Sequence, residues 1–89
     1  MDQPDRGQLR RVFGVTLRTL RSRAGYAQEK FALDAGVDRS YVGKLERGES
    51  TPTLETVFHF LPLLGISFEQ FAAEFESELR RDRRSRRRV

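Results

Sequence analysis

The 89-residue chain contains no cysteine, a single histidine, and no apolar run of signal-peptide or membrane-spanning length. The first absence excludes disulfides and thiolate metal sites, and the last excludes export by the usual route and a membrane span. The chain is therefore expected in the cytoplasm. His59 stands between Phe58 and Phe60 on a mostly apolar stretch, and such a lone histidine reads as structural and not as a ligand. The carboxylates Glu74, Glu76 and Glu78 do not converge on a pocket, so no catalytic group, metal or cofactor is expected. β-Alternation, internal repeats and Gly/Ser linkers are missing as well. What is left is one all-α domain whose modest core would gain from burial against a partner, so a homodimer is expected.

Charge is present in quantity but unevenly placed. The net +4 divides into −2 over residues 1–78 and +6 over residues 79–89, where "RRDRRSRRRV" sets seven arginines against Asp82. Within the body, Arg10, Arg11, Arg18, Arg21 and Arg23 crowd the first segment, and Glu69, Glu74, Glu76 and Glu78 crowd the last. A body so polarised is expected to turn one face toward a polyanion.

Apolar spacing divides the chain into five helices. Leu9, Val12, Phe13, Leu17, Leu20 and Ala24 make an amphipathic stripe that begins near Pro4 to Arg6 and stops at Gly25. Gln28 to Ala35 follows, with Phe31, Ala32 and Ala35 inward, Tyr26 as half of a hydrophobic staple, and Gly36 as its end. Asp38 is the expected N-cap of a third helix, Arg39 to Arg47, with Val42 and Leu45 inward and Gly48 beyond it. Thr53 caps a fourth, Leu54 to Leu64, whose inner face is read as Leu54, Val57, Phe58, Leu61 and Leu64. Pro62 within it is expected to kink the last turn. Ser67 and Gln70 form a capping box ahead of Phe68, Phe71, Ala72, Phe75 and Leu79, with the end of this fifth helix undefined. The domain is assigned to residues 6–79 and an arginine-rich extension to residues 80–89.

Two short helices joined by "AGVD", over residues 28–47, have the arithmetic of a DNA-binding helix-turn-helix. Ala32 allows close crossing, Gly36 takes the left-handed turn, and Val37, Val42 and Leu45 pin the second helix. Arg39, Ser40, Gly43 and Lys44 are then left facing outward, with Tyr41 and Arg47 at the margins. Alone, such a face is an ordinary solvated one. After this turn pattern it supplies long donors, a hydroxyl and a small residue, the types that read base edges in a major groove.

From Leu17 to Phe71, through "LRSRAGYAQEKFALDAGVDRSYVGKLERGESTPTLETV" and "LLGISFEQF", the chain resembles the Cro/CI-type, or XRE-like, helix-turn-helix regulators. The phrase "GVDRSYVGKLERG" is most similar to the controller proteins of restriction–modification systems. The resemblance implies a lambda-repressor-like five-helix fold and a regulator of transcription that binds double-stranded DNA as a homodimer. It implies base reading by Arg39, Ser40 and Lys44, with Gly43 between them. It implies backbone contacts from Gln28, Ser50 and Thr51, with Arg47 and Tyr41 as neighbours, and a fifth helix lying away from the recognition helix. Two departures stand out: Ala27 where the family has Ser or Thr, and Pro62 in the fourth helix.

Phe60, Leu63, Phe71, Phe75 and Leu79 exceed what one small core encloses and are expected to form the dimer surface. The tail arginines are expected to reach flanking phosphates, or else to pair with Glu74, Glu76 and Glu78, for which Glu76 and Arg80 have i,i+4 spacing, or to bridge to the acidic helix of a partner subunit. The alternative function is an antitoxin-type protein-binding module, against which the tail offers only Val89 as an apolar anchor. No membrane partner or small-molecule effector is implied.

Overall fold

A computed structural model describes residues 3–87. Its helices are α1 (Arg6–Arg23), α2 (Gln28–Ala35), α3 (Arg39–Glu46), α4 (Leu54–Leu64) and α5 (Phe68–Arg87), and no strand occurs among the described residues. The boundary drawn at residue 79 falls inside α5, so residues 80–87 are its last turns. Arg88 and Val89 of the expected tail lie outside the described residues. None of these helices is long and apolar enough to cross a membrane.

The helix starts follow local chemistry. Asp5 Oδ1 accepts the Gln8 amide at 2.8 Å, and Thr53 Oγ1 accepts the Thr56 amide at 3.1 Å. Ser67 and Gln70 exchange the two bonds of a capping box at 3.1 and 2.8 Å. Ala27 leaves α2 without a side-chain cap, and the Tyr26 ring instead packs edge-on against Phe31 at 5.5 Å, as a hydrophobic staple does. Asp38 corrects the expectation: it occupies the N-cap position with extended backbone, but its carboxylate makes no capping bond.

The core gathers around Leu17, Phe31, Val42, Leu45 and Phe60, all essentially inaccessible to solvent. Phe31 meets Phe60 edge-on at 5.0 Å, joining α2 to α4, and Phe13 meets Phe71 at 5.8 Å, joining α1 to α5. The inner face of α4 is Val57, Phe60, Leu61 and Leu64; Leu54 and Phe58, expected inside, are exposed. The observed set has i, i+3, i+4, i+7 spacing, so the periodicity was there to be read, with Phe58 and Phe60 exchanged. α5 runs antiparallel to α1, since Arg23 pairs with Glu74 and Arg11 with Asp82.

Candidate nucleic-acid interface

The turn between α2 and α3 is closed by backbone geometry. Gly36 has φ +70°, a conformation that costs a residue with Cβ, and the Val37 amide returns to the Ala32 carbonyl at 3.0 Å. α3 leaves this turn with Val42 and Leu45 fully buried on one side. Arg39, Ser40 and Lys44 are consequently exposed together on the other. Gly43, expected to face outward with them, is buried. A Cβ there would stand 3.0 Å from Arg47 Nη1 and 3.8 Å from Gln28 Oε1, so the bare backbone lies beneath those two side chains.

Around this face the backbone-contact candidates are held in place. The Arg47 guanidinium donates twice to Glu49, at 2.9 and 3.3 Å, which keeps the Glu49 carboxyl below its ordinary pKa. Gln28 Nε2 donates to Glu46 at 3.0 Å. The Tyr41 ring packs against the core, with its hydroxyl 3.4 Å from Thr56 Oγ1. Ser50 is half-buried, while Thr51 is exposed and its Oγ1 accepts Arg10 Nε at 2.6 Å.

The arginines of α1 are largely occupied elsewhere. Arg21 is buried, donating to Glu46 at 2.6 and 3.0 Å and to the Tyr26 carbonyl at 2.7 Å. Arg23 reaches Glu74 at 2.6 Å, and Arg11 grips Asp82 twice at 3.0 Å. Of these arginines, Arg23 meets the acidic last segment, Arg11 meets Asp82 beyond it, Arg21 meets α3, and Arg10 bonds to the loop after α3. His59 Nε2 donates to the Ala35 carbonyl at 2.6 Å, tying α4 to the last turn of α2 in a structural role.

Residues 17–71 match the helix-turn-helix family. The chain belongs to that family, in its XRE-type branch. It is 32% identical over 69 residues to the HTH-type transcriptional regulator SutR of Escherichia coli, an alignment covering 78% of this chain and 39% of that one. To a hypothetical transcription factor of Neisseria meningitidis serogroup B it is 33% identical over 67 residues, covering 75% and 63%. The chain therefore spans less than two thirds of the length of either relative. The solved restriction-modification controller protein C.AhdI from Aeromonas hydrophila is 38% identical with a TM-score of 0.64, over 68% of this chain and 92% of that one. The family is one of regulatory DNA-binding proteins and not of enzymes.

In this helix-turn-helix chain two of the expected dimer residues are unavailable to a partner. Phe60 and Phe71 are 1% and 6% exposed, spent on Phe31 and Phe13 in the core. Leu63 and Phe75 are half-buried against the same core, and Leu79 is half-buried. Leu63, five residues beyond Phe58, is turned roughly 140° around α4, so it does not share a face with it. The exposed apolar surface is elsewhere: Leu54 is 67%, Phe58 54% and Phe68 40% accessible. Phe58 and Phe68 stack at 4.9 Å, and rings continue through Phe71 to Phe75 at 6.4 and 6.3 Å. Neither the packing of Gly14 against the Leu45 and Glu46 carbonyls nor the Arg21–Glu46 pair is legible in the sequence, because long-range partners leave no mark in local periodicity.

Proposed function

We propose that the chain is a sequence-specific regulator that binds double-stranded DNA as a homodimer on a near-palindromic operator, at the nucleoid. The observation that carries this reading is the division of α3: Val42 and Leu45 wholly buried, Arg39, Ser40 and Lys44 exposed together. Arg39, a fork-shaped donor at the helix start, reads guanine O6 and N7; Lys44 takes an acceptor one turn on, and Ser40 takes either base. Gly43 contributes no side chain and leaves room for Arg47 to lie across the helix.

Phosphate contacts come from the surrounding groups. Gln28 has one amide hydrogen committed to Glu46 and a second free for a phosphate oxygen. Because Thr51 Oγ1 accepts from Arg10, its own hydrogen remains available to donate. Ser50, Tyr41 and Arg47 complete the rim, Arg47 by exchanging Glu49 for phosphate. Most of the affinity is then electrostatic and salt-dependent.

An eight-residue helix is about 12 Å long and spans only a few base pairs, so useful specificity calls for two copies reading successive major grooves about 34 Å apart. The surface that fits a second copy is the exposed pair Phe58 and Phe68 with Leu54, continued along α5 by Phe75 and Leu79. No feature of the described residues favours the antitoxin alternative.

Selection of bound sites from random duplex DNA tests the reading. The expected result is a two-fold symmetric consensus with half-sites one helical turn apart. Recovered duplexes without a shared element would count against it.

A further inference from the structure

The first turns of α1 set two cations on an apolar stripe. Arg6, Leu9, Arg10 and Phe13 follow at i, i+3, i+4 and i+7, so all four share one face of the helix. They line an open cavity of about 430 Å³, bounded elsewhere by Pro4, by Thr51 and Pro52 of the loop after α3, and by Phe75 of α5. That volume lies within the range of small-molecule sites, about 300 to 1,000 Å³. No acidic residue is among its lining. Arg6 and Arg10 form no salt bridge among the described residues, and Arg10 donates instead to the neutral hydroxyl of Thr51 at 2.6 Å. The two arginines also repel each other at i,i+4 spacing, and Arg6 opens the helix, where the macrodipole opposes a cation. Asp5 at the N-cap turns its Oδ1 to the Gln8 amide. An anion between the two guanidiniums would relieve both repulsions.

We propose that this cavity binds a small organic anion, a carboxylate carried on an apolar or aromatic body. Arg6 and Arg10 take the charge, and Leu9, Phe13, Pro52 and Phe75 surround the body. The walls decide the ligand class: an inorganic ion or a sugar–phosphate would leave that apolar surface uncovered, whereas a ring or alkyl chain removes it from water. Arg10 then leaves Thr51, because a guanidinium bonds a carboxylate more strongly than a hydroxyl. The site itself is independent of the DNA-binding reading above, but its consequence rests on that reading. A ligand here takes one cation and adds one negative charge beside the Ser50–Thr51 loop, so it lowers affinity for duplex DNA, and by linkage DNA lowers affinity for the ligand. The DNA-binding domain thus carries an effector site of its own, which family resemblance does not imply.

The test titrates 2-naphthylacetate into the full chain and follows its backbone amide signals by NMR. Saturable shifts are expected at Leu9, Phe13, Thr51 and Phe75, with Phe58 and Phe68 unmoved. The neutral 2-naphthylacetamide keeps the rings without the charge, and inorganic phosphate keeps the charge without the rings. Each should bind about tenfold more weakly or worse, and Arg6→Gln should weaken 2-naphthylacetate by about tenfold as well. Thr51→Val removes the competitor for Arg10 and should tighten binding by about fivefold. Both positions are exposed, and an unchanged spectrum away from the cavity confirms that each variant is folded. Saturating 2-naphthylacetate should also weaken binding to the selected DNA consensus by about fivefold. No saturation at millimolar concentration, shifts centred on Phe58 and Phe68, or equal binding of the amide would overturn the site. Equal binding of inorganic phosphate would assign the arginines to backbone phosphate instead. The same signals shifting when the ligand-free chain is concentrated would assign the cavity to a second copy. Saturable binding with unchanged DNA affinity would overturn the regulatory consequence and leave the helix-turn-helix reading intact. A parent chain with no preferred DNA sequence would sink that reading and the consequence together, while the site stands or falls on the NMR titration.

Discussion

Gly14 in the middle of α1 lies against the carbonyls that end α3: a Cβ at this position would stand 2.5 Å from the Glu46 oxygen and 2.7 Å from that of Leu45. These are backbone atoms and cannot swing aside. Gly14→Ala should therefore lower stability by about 1 to 3 kcal/mol, although alanine is intrinsically the better helix former by close to 1 kcal/mol. Because α3 must shift to make room, DNA affinity should fall with it. Urea denaturation and DNA titration check the two effects.

Arg21 and Glu46 form the buried ion pair of the domain, with side chains 10% and 5% exposed. Glu46→Ala leaves a guanidinium without its counter-charge and also frees Gln28, so a loss of about 3 to 5 kcal/mol is expected in chemical denaturation. Replacing both partners together, Arg21→Met with Glu46→Leu, should recover much of that loss, since two apolar side chains need no desolvated charge. A double variant as unstable as the single one would mean that the bond from Arg21 to the Tyr26 carbonyl matters more than the ion pair.

Arg39→Ala should cost about 1 to 3 kcal/mol of binding and relax the preference at one position in each half-site. A uniform loss over all sequences would assign Arg39 to phosphate. The comparison needs only competition titrations with single-base variants of the selected site.

If the proposed homodimer uses this face, the parent chain sediments as a dimer at micromolar concentration and Phe58→Glu sediments as a monomer. The exposed ring can be replaced without opening the core, so the helical circular dichroism should persist. A folded, still dimeric variant would move the subunit contact off this face.

Acid should loosen α5 from α1. Hydrogen bonds from Arg11, opposed in part by burial, hold the Asp82 carboxyl below its ordinary value of 3.8. A carboxyl depressed in the folded state contributes stability that is present above its unfolded pKa and is lost as pH falls through the folded one. Denaturation midpoints should thus drop below about pH 4, and Asp82→Asn should remove part of that drop. Glu49 and Asp34 are depressed as well, by Arg47 and by Lys30, so the difference between parent and variant isolates Asp82. Superimposable pH profiles would assign the acid sensitivity to those other groups.

Five helices, their starts at Thr53 and Ser67, the left-handed turn at Gly36 and the exposed set Arg39, Ser40 and Lys44 were legible from residue order alone. All depend on interactions within a few positions of one another: hydrogen bonds to the first turn, a missing Cβ, apolar residues one turn apart. The fate of individual side chains on a helix with two apolar flanks was not legible in this way. Phe58 and Phe60 have the same composition and nearly the same neighbours, yet one is 54% and the other 1% exposed, because α2 presents Phe31 to only one side of α4. The arginines of α1 looked like a single basic face until the antiparallel placement of α5 gave Arg11 and Arg23 their carboxylates and the crossing of α3 gave Arg21 its own. Sequence determined where the chain could be helical and which polar residues stand on the outer face of α3. Which charges remain unpaired was decided by packing, since an ion pair forms between residues brought together by the fold and not by their separation along the chain.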